Sequence, residues 1–387
     1  MPGEQMDRYT EQNKKEYGER YDRINFLREE DRQTAQKQRA ELLKELEGKV
    51  SWGAKGTKAD YDRISNGCRI CSEGGWSCLF INGKCNCKCF YCPAPQDENC
   101  MPTTNSISFV SPEEYTAYLK KYGFTGVSIS GGEPLLTPKL TLSYIRAVRK
   151  AFPAMYIWMY TNGTLVTDEI ISSLKEAGLN EIRFDIGADG YTTEHLSKAC
   201  GIIDTVTVEV PAVPEEAERM KSIMRELSGL GVKHLNLHQL RLTPYNFEKL
   251  MERNYTYLHG DKVAVLESEL TALSLMKYSK DAGLSLDVNY CSFVYKNRFQ
   301  SAASRRRNGA LMLKDGETIT ENGYIKTVDG DKVSYSFCVQ LPSVSYRNPF
   351  ETIKLSKKRS FVVERVKAPD VEDVSAYEQI EEGMQIY

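Results

Sequence analysis

Cys85, Cys89 and Cys92 stand at C-x3-C-x2-C spacing in the stretch Cys85-Asn-Cys-Lys-Cys89-Phe-Tyr-Cys92. Three thiols this close on a short loop can converge on one face of a metal cluster. A cubane [4Fe-4S] cluster normally takes four thiolates. Three from one loop leave one iron open to a substrate or cofactor. Cys87 falls between them and makes a rival choice of ligands available. A second stretch, Ser130-Gly131-Gly132-Glu133-Pro134, follows the apolar run Gly126-Val127-Ser128-Ile129. Its paired glycines let backbone come close to a ligand, since no Cβ intervenes. A carboxylate beside them can accept charge-assisted hydrogen bonds from an ammonium. Upstream, Cys68 and Cys71 form a C-x2-C pair, a common half of a zinc or iron–sulfur site. Cys78, Cys100, Cys291 or Cys338 could complete it, and two buried free thiols are the plainer alternative.

The elements that must position these residues alternate. Short apolar runs at Cys78–Ile81, 127–129, 155–160, 181–186, 205–210 and 234–240 read as strands. Amphipathic stretches between them, with Ser111-Pro112-Glu113-Glu114 a clear helix start, read as helices. Alternation of this kind predicts parallel βα units. In a β/α barrel the site forms at the C-terminal ends of the strands, and the cysteine loop, Gly131–Glu133 and Thr161-Asn162-Gly163 all fall at such ends. Polar residues inside the later strands, Arg183, Asp185, Glu209, Asn236 and His238, are costly in a closed core unless paired. Alternation alone leaves open whether each points in or out. A further strand over 285–291 puts Cys291 at its end, with Tyr290 and Lys296 close by.

Residues 1–66 read as a charged helical extension and linker, either leaning solvated on the core or docking a partner. Residues 67–300 read as the core. Residues 301–387 read as a β-rich C-terminal region, with Asp329-Gly330 a hairpin signal and an acidic tail after Asp370. Arg305-Arg306-Arg307 reads as a solvated basic turn or a docking patch for an anionic group.

The chain has 387 residues, 41% hydrophobic, with a net charge of −2. That balance gives no nucleic-acid signal, and no apolar run is long enough to span a membrane. Eight of the eleven cysteines lie between Cys68 and Cys100. An odd number clustered at short spacings indicates metal binding more than disulfides, and so a reducing compartment, the cytoplasm.

Taken together, the C-x3-C-x2-C loop and the Gly-Gly-Glu-Pro element resemble the radical SAM superfamily. The longer pattern from Gly67-Cys68-x2-Cys71 to Cys92-Pro93, with Cys291-Ser-x2-Tyr295-Lys296, resembles a little-characterised group related to pyruvate formate-lyase activating enzyme. The resemblance implies an α/β fold, a partial (β/α)6 TIM-like barrel. It implies a [4Fe-4S] cluster on Cys85, Cys89 and Cys92, with S-adenosylmethionine (SAM) at the fourth iron, and allows a second Fe-S cluster or zinc involving Cys68 and Cys71. Gly131, Gly132, Glu133, Asn162, Asp185, Glu209 and Tyr91 are the expected SAM contacts. Tyr290, Cys291 and Lys296 are the expected catalytic residues on the substrate side. The implied reaction is reductive cleavage of SAM to a 5'-deoxyadenosyl radical, fed by an external flavodoxin- or ferredoxin-type donor. The radical takes hydrogen from a peptide or protein, or alternatively from a small molecule or nucleoside. A non-enzymatic Fe-S or zinc protein is the remaining reading.

Overall fold

The computed structural model describes residues 2–341 apart from Asn99 and Ser106, the segments 345–347, 352–354 and 362–367, and Val374. The expected β/α alternation is present. Seven strands run parallel and pair in chain order: β1 (Trp76–Phe80), β2 (Gly126–Ser130), β3 (Tyr156–Thr161), β4 (Glu181–Phe184), β5 (Thr205–Pro211), β6 (His234–His238) and β7 (Asp287–Cys291). β1 and β7 do not pair with each other, so the barrel is partial. Each outer edge is covered by an antiparallel hairpin. Lys58–Ala59, backed by Trp52–Gly53, pairs with β7 through Cys291, and Thr103–Thr104, backed by Ile107–Ser108, pairs with β1 through Phe80.

Period-two alternation sorts the strand residues. Ile182, Val208, Leu235, Leu237 and Val288 are fully buried toward the surrounding helices. Trp158, Tyr160, Arg183, Glu209, Asn236 and Asn289 take the opposite face and line the lumen, where their side chains meet one another. Helix α3 (Asn66–Ser72), capped where Cys68 N–H donates to Ser65 Oγ at 3.2 Å, closes the floor. Its Gly67 allows this, because a Cβ there would lie 2.5 Å from Arg183 Nη2 and 2.8 Å from Glu181 Oε2.

The N-terminal extension is tied down more firmly than a solvated charged helix. Asn13, on α1 (Pro2–Tyr17), donates to Gly260 O, and Tyr17 OH donates to Leu242 O. On α2 (Glu29–Leu46), Arg39 pairs with Glu269 at 3.0 Å, and Glu269 is 1% exposed. His259 sits under this arm, stacked on Phe26 with ring centres 3.7 Å apart and facing Asn13 Oδ1 and Tyr21 OH. Burial and nearby Lys14 push its pKa down to about 4. The unfolded chain therefore takes up a proton first, and stability contributed by neutral His259 is lost as pH falls from about 6.5 toward 4. Limited proteolysis should cut the first 27 residues faster at pH 5 than at pH 7.5. His259→Gln should abolish that difference, and equal rates in the native chain would refute the coupling.

Arg305, Arg306 and Arg307 do not form a turn, and only Arg306 of the three is exposed. They lie on a helix, Ser301–Ala310, and each donates to a backbone carbonyl, respectively Asn322 O, Glu321 O and Gly74 O. Arg307 also lies over the Phe124 ring at 3.9 Å. The triplet staples the C-terminal sheet to the barrel. That sheet contains the expected hairpin, Ile325–Asp329 with Lys332–Leu341, turning at Gly330 with φ +57°. Strand Val362–Lys367 adds to it, and apart from Val374 the acidic tail lies outside the described residues.

Candidate active site

The cysteine loop leaves β1 and is pinned at its base, where Cys85 N–H donates to Gln96 O at 2.9 Å. Cys85 Sγ accepts from Cys87 N–H at 3.4 Å and from Asn162 Nδ2 at 3.7 Å. Burial pushes the Cys85 thiol up, and the Cys89 thiol, with Asp185 nearby, up to about 12; the charge of Cys92 acts on both. Cys87 shares the neighbourhood, with its thiol at about 11. Thiols so raised become thiolates readily only with a compensating cation, as a metal supplies. Among the described residues no three His, Cys, Asp or Glu side chains meet at a single ion.

The glycine turn after β2 packs against the cysteine loop. A Cβ on Gly132 would lie 1.9 Å from Lys84 O and 2.9 Å from Cys85 N, and one on Gly131, at φ +140°, 2.4 Å from Asn82 O. The close approach is to the root of the cysteine loop. Glu133 is 0% exposed. One carboxylate oxygen accepts from Leu135 N–H and Thr161 Oγ1, the other from Asn162 N–H at 2.7 Å. Glu133 thus takes three donors from the protein itself. It fixes the end of β3, which aims Asn162 at Cys85. Removing such a supporting partner typically costs about 10–100-fold in metal affinity or activity. Asn162→Ala should lower retained iron or turnover by that order, with iron per chain after gel filtration as the readout; unchanged values would sink the role.

Asp185 ends β4, and its Oδ1 accepts from Tyr91 OH at 2.8 Å. Desolvation raises its pKa to about 6, and among the described residues no Lys, Arg or His forms an ion pair with it. Deeper in the lumen, Glu181, Arg183, Glu209, His238 and Lys296 form a chain: Arg183 to Glu181 at 2.8 Å and Glu209 at 2.7 Å, His238 Nε2 to Glu209 at 2.7 Å, and Lys296 Nζ to His238 Nδ1 at 2.5 Å. Burial alone would raise Glu209, but Arg183 and His238 hold it far below the usual carboxylate range. Burial beside Lys296 lowers His238, and burial lowers Lys296.

Of the expected catalytic residues, Cys291 and Lys296 reach this lumen. Tyr290 does not. It alternates with Asn289 and Cys291, is 1% exposed, and feels the charges of Glu269 and Arg39 on the helical side. Lys58 was hidden in the sequence. It is 1% exposed, and its Nζ donates to Asn289 Oδ1, to Tyr290 O at 3.2 Å and to Cys291 Sγ at 2.7 Å. Only the register of its two-residue strand brings it there.

A partial parallel barrel with a three-cysteine loop after its first strand, braced by a glycine turn after its second, defines a radical SAM enzyme, and the chain belongs to the radical SAM superfamily. Residues 79–208 match that superfamily. A Methanocaldococcus jannaschii protein named as a candidate glycyl-radical enzyme activating enzyme is 30% identical over 278 residues, 69% of this chain and 73% of the relative. GTP 3',8-cyclase of Rhodopirellula baltica is 28% identical over 174 residues, 44% of this chain and 46% of the cyclase. Among solved structures, Streptococcus suis SuiB bound to S-adenosylmethionine aligns over 82% of this chain and 70% of its own, at 12% identity and a TM-score of 0.44. The enzyme uses a [4Fe-4S] cluster and SAM, as its family does. No described helix is long and apolar enough to cross a membrane.

Proposed function

We propose that this enzyme abstracts hydrogen from a polypeptide. Cys85, Cys89 and Cys92 hold the cluster, and Asn162, Asp185, Tyr91 and Glu209 line the SAM site. When bound and reduced by a flavodoxin- or ferredoxin-type donor, cluster and SAM supply a 5'-deoxyadenosyl radical. The chain's own part is aim and exclusion of water. Gly131 and Gly132 seat the loop, Glu133 fixes Asn162, and Tyr91 holds Asp185 in place. Lys296 and His238 present polar groups to the substrate side of the lumen. The observation that carries the reading is the joint seating of the cysteine loop on the Gly131–Glu133 turn. The polypeptide substrate is favoured by likeness to the glycyl-radical enzyme activating protein.

The test uses an extract of the producing cells grown in D2O, returned to H2O and separated by size. Each fraction is incubated anaerobically with the reduced enzyme and SAM. Deuterium should appear in 5'-deoxyadenosine with the high-mass fraction. Deuterium from the low-mass fraction alone would replace this reading with a small-molecule substrate. That second reading is favoured by likeness to the cyclase and by the lumen's buried cations, Arg183 and Lys58. A chain that forms no 5'-deoxyadenosine under any of these conditions would overturn both.

A further inference from the structure

Cys68, Cys71 and Cys291, outside the loop, face the same lumen, as does Cys78 on β1 beside Ser128. Cys68 and Cys71 lie on the floor helix α3, and Cys291 ends β7. The charges of Cys68 and Cys291 both act on Cys71. Between Cys68 and Cys291 stand two linked side-chain amides. Asn236 Nδ2 donates to Cys68 Sγ at 3.4 Å, Asn289 Nδ2 donates to Asn236 Oδ1, and Asn289 Oδ1 accepts from the Cys291 thiol at 3.8 Å.

Two observations point to a ligand here. First, each sulfur faces a nitrogen donor of its own: Cys68 has Asn236, Cys71 has Gln300 Nε2, and Cys291 has Lys58 Nζ at 2.7 Å. Cys85 in the cysteine loop is served in the same way by Asn162. Hydrogen bonds to the sulfurs are among the features that tune iron–sulfur sites. Second, Lys58 is a buried ammonium with no carboxylate among its hydrogen-bond acceptors. A buried charge needs a counter-charge, and the ionisable group in contact with it is the Cys291 thiol. A thiolate-bound iron–sulfur cluster is anionic and supplies that counter-charge.

We propose that Cys68, Cys71 and Cys291 hold a second iron–sulfur cluster of the [4Fe-4S] class within the lumen, with Lys58 as its buried counter-ion. The site rests on the proposed function only in that both clusters would be filled by the same anaerobic reconstitution.

Iron, sulfide and zinc per full-length chain test it, together with the electron paramagnetic resonance spectrum of the reduced protein with and without SAM. The native chain should hold about eight iron and eight sulfide. Cys85→Ala/Cys89→Ala/Cys92→Ala should retain about four, with a spectrum indifferent to SAM. Cys68→Ala/Cys71→Ala/Cys291→Ala should retain about four, with a spectrum that SAM alters. A native chain holding only about four iron, a loop variant holding none, or zinc in place of iron would overturn the second cluster. The loop variant leaves the lumen cysteines intact, so it decides the matter even if the lumen variant fails to fold. A SAM-responsive spectrum surviving in the loop variant would instead overturn the ligand assignment behind the proposed function.

Discussion

Gly132→Ala should strip most of the iron from the purified protein. The added methyl would sit 1.9 Å from Lys84 O and 2.2 Å from Lys84 C. Both are backbone atoms, so no side chain can swing aside. Cys85 cannot yield cheaply either, because its N–H is held by Gln96 O and the Glu133 N–H is held by Lys84 O at 2.6 Å. Displacing the loop root moves the first of its three thiols. By the usual cost of disturbing support around a metal ligand, the loss should reach about 10–100-fold in retained cluster or in 5'-deoxyadenosine formed. Gly229→Ala is the control, since nothing lies within 4 Å of its Cβ position, and it should behave as the native chain. Iron content near the native value in Gly132→Ala would show that the loop and the glycine turn are not mechanically joined.

Arg183→Met should destabilise the fold by about 3–5 kcal/mol, the usual cost of leaving a buried charge without its partner. Arg183 is 3% exposed and binds both Glu181, which is fully buried, and Glu209. Its guanidinium lies 5.3 Å from the Trp158 ring centre and 5.4 Å from that of Tyr160. Methionine could keep much of that packing while stranding two carboxylates. Their protonation would then relieve the strain, so the variant's deficit should shrink as pH falls. In the native chain the sign is opposite. Glu209 is held below its ordinary pKa, so its contribution is present above about pH 4.5 and lost on acidification. Adding Glu209→Gln to Arg183→Met should recover part of the loss. Denaturant midpoints of the single and double variants provide the measurement, and a single variant as stable as the native chain would refute the account.

Much of the barrel was legible because its strands are apolar runs of ordinary length separated by capped helices. The cysteine spacing was legible because loop ligands are local in sequence. What the sequence hid was direction. Nothing in the sequence around Glu133 foretells the three donors it meets on Leu135, Thr161 and Asn162. Gly131 and Gly132 promise close approach without saying to what. Lys58 sits in a Gly- and Lys-containing stretch that reads as a linker. A two-residue strand carries no periodicity, and its partner Cys291 lies more than two hundred residues away. The arginine triplet looked solvated because a charge run does not reveal the carbonyls it will meet. Arg183, Glu209, Asn236 and His238 were undecided between faces until the register put them together.

The hairpins that shield both borders of the barrel wall bear on how the protein can be shortened. An unpaired β7 would present free N–H and C=O groups to any passing strand. The segment covering it, Trp52–Ala59, precedes the barrel in the chain and would be lost in a fragment begun at Asn66. Such a trimmed protein would keep every loop cysteine, yet it would be prone to self-association and inclusion bodies. Soluble expression therefore calls for cloning from well upstream of the cysteines.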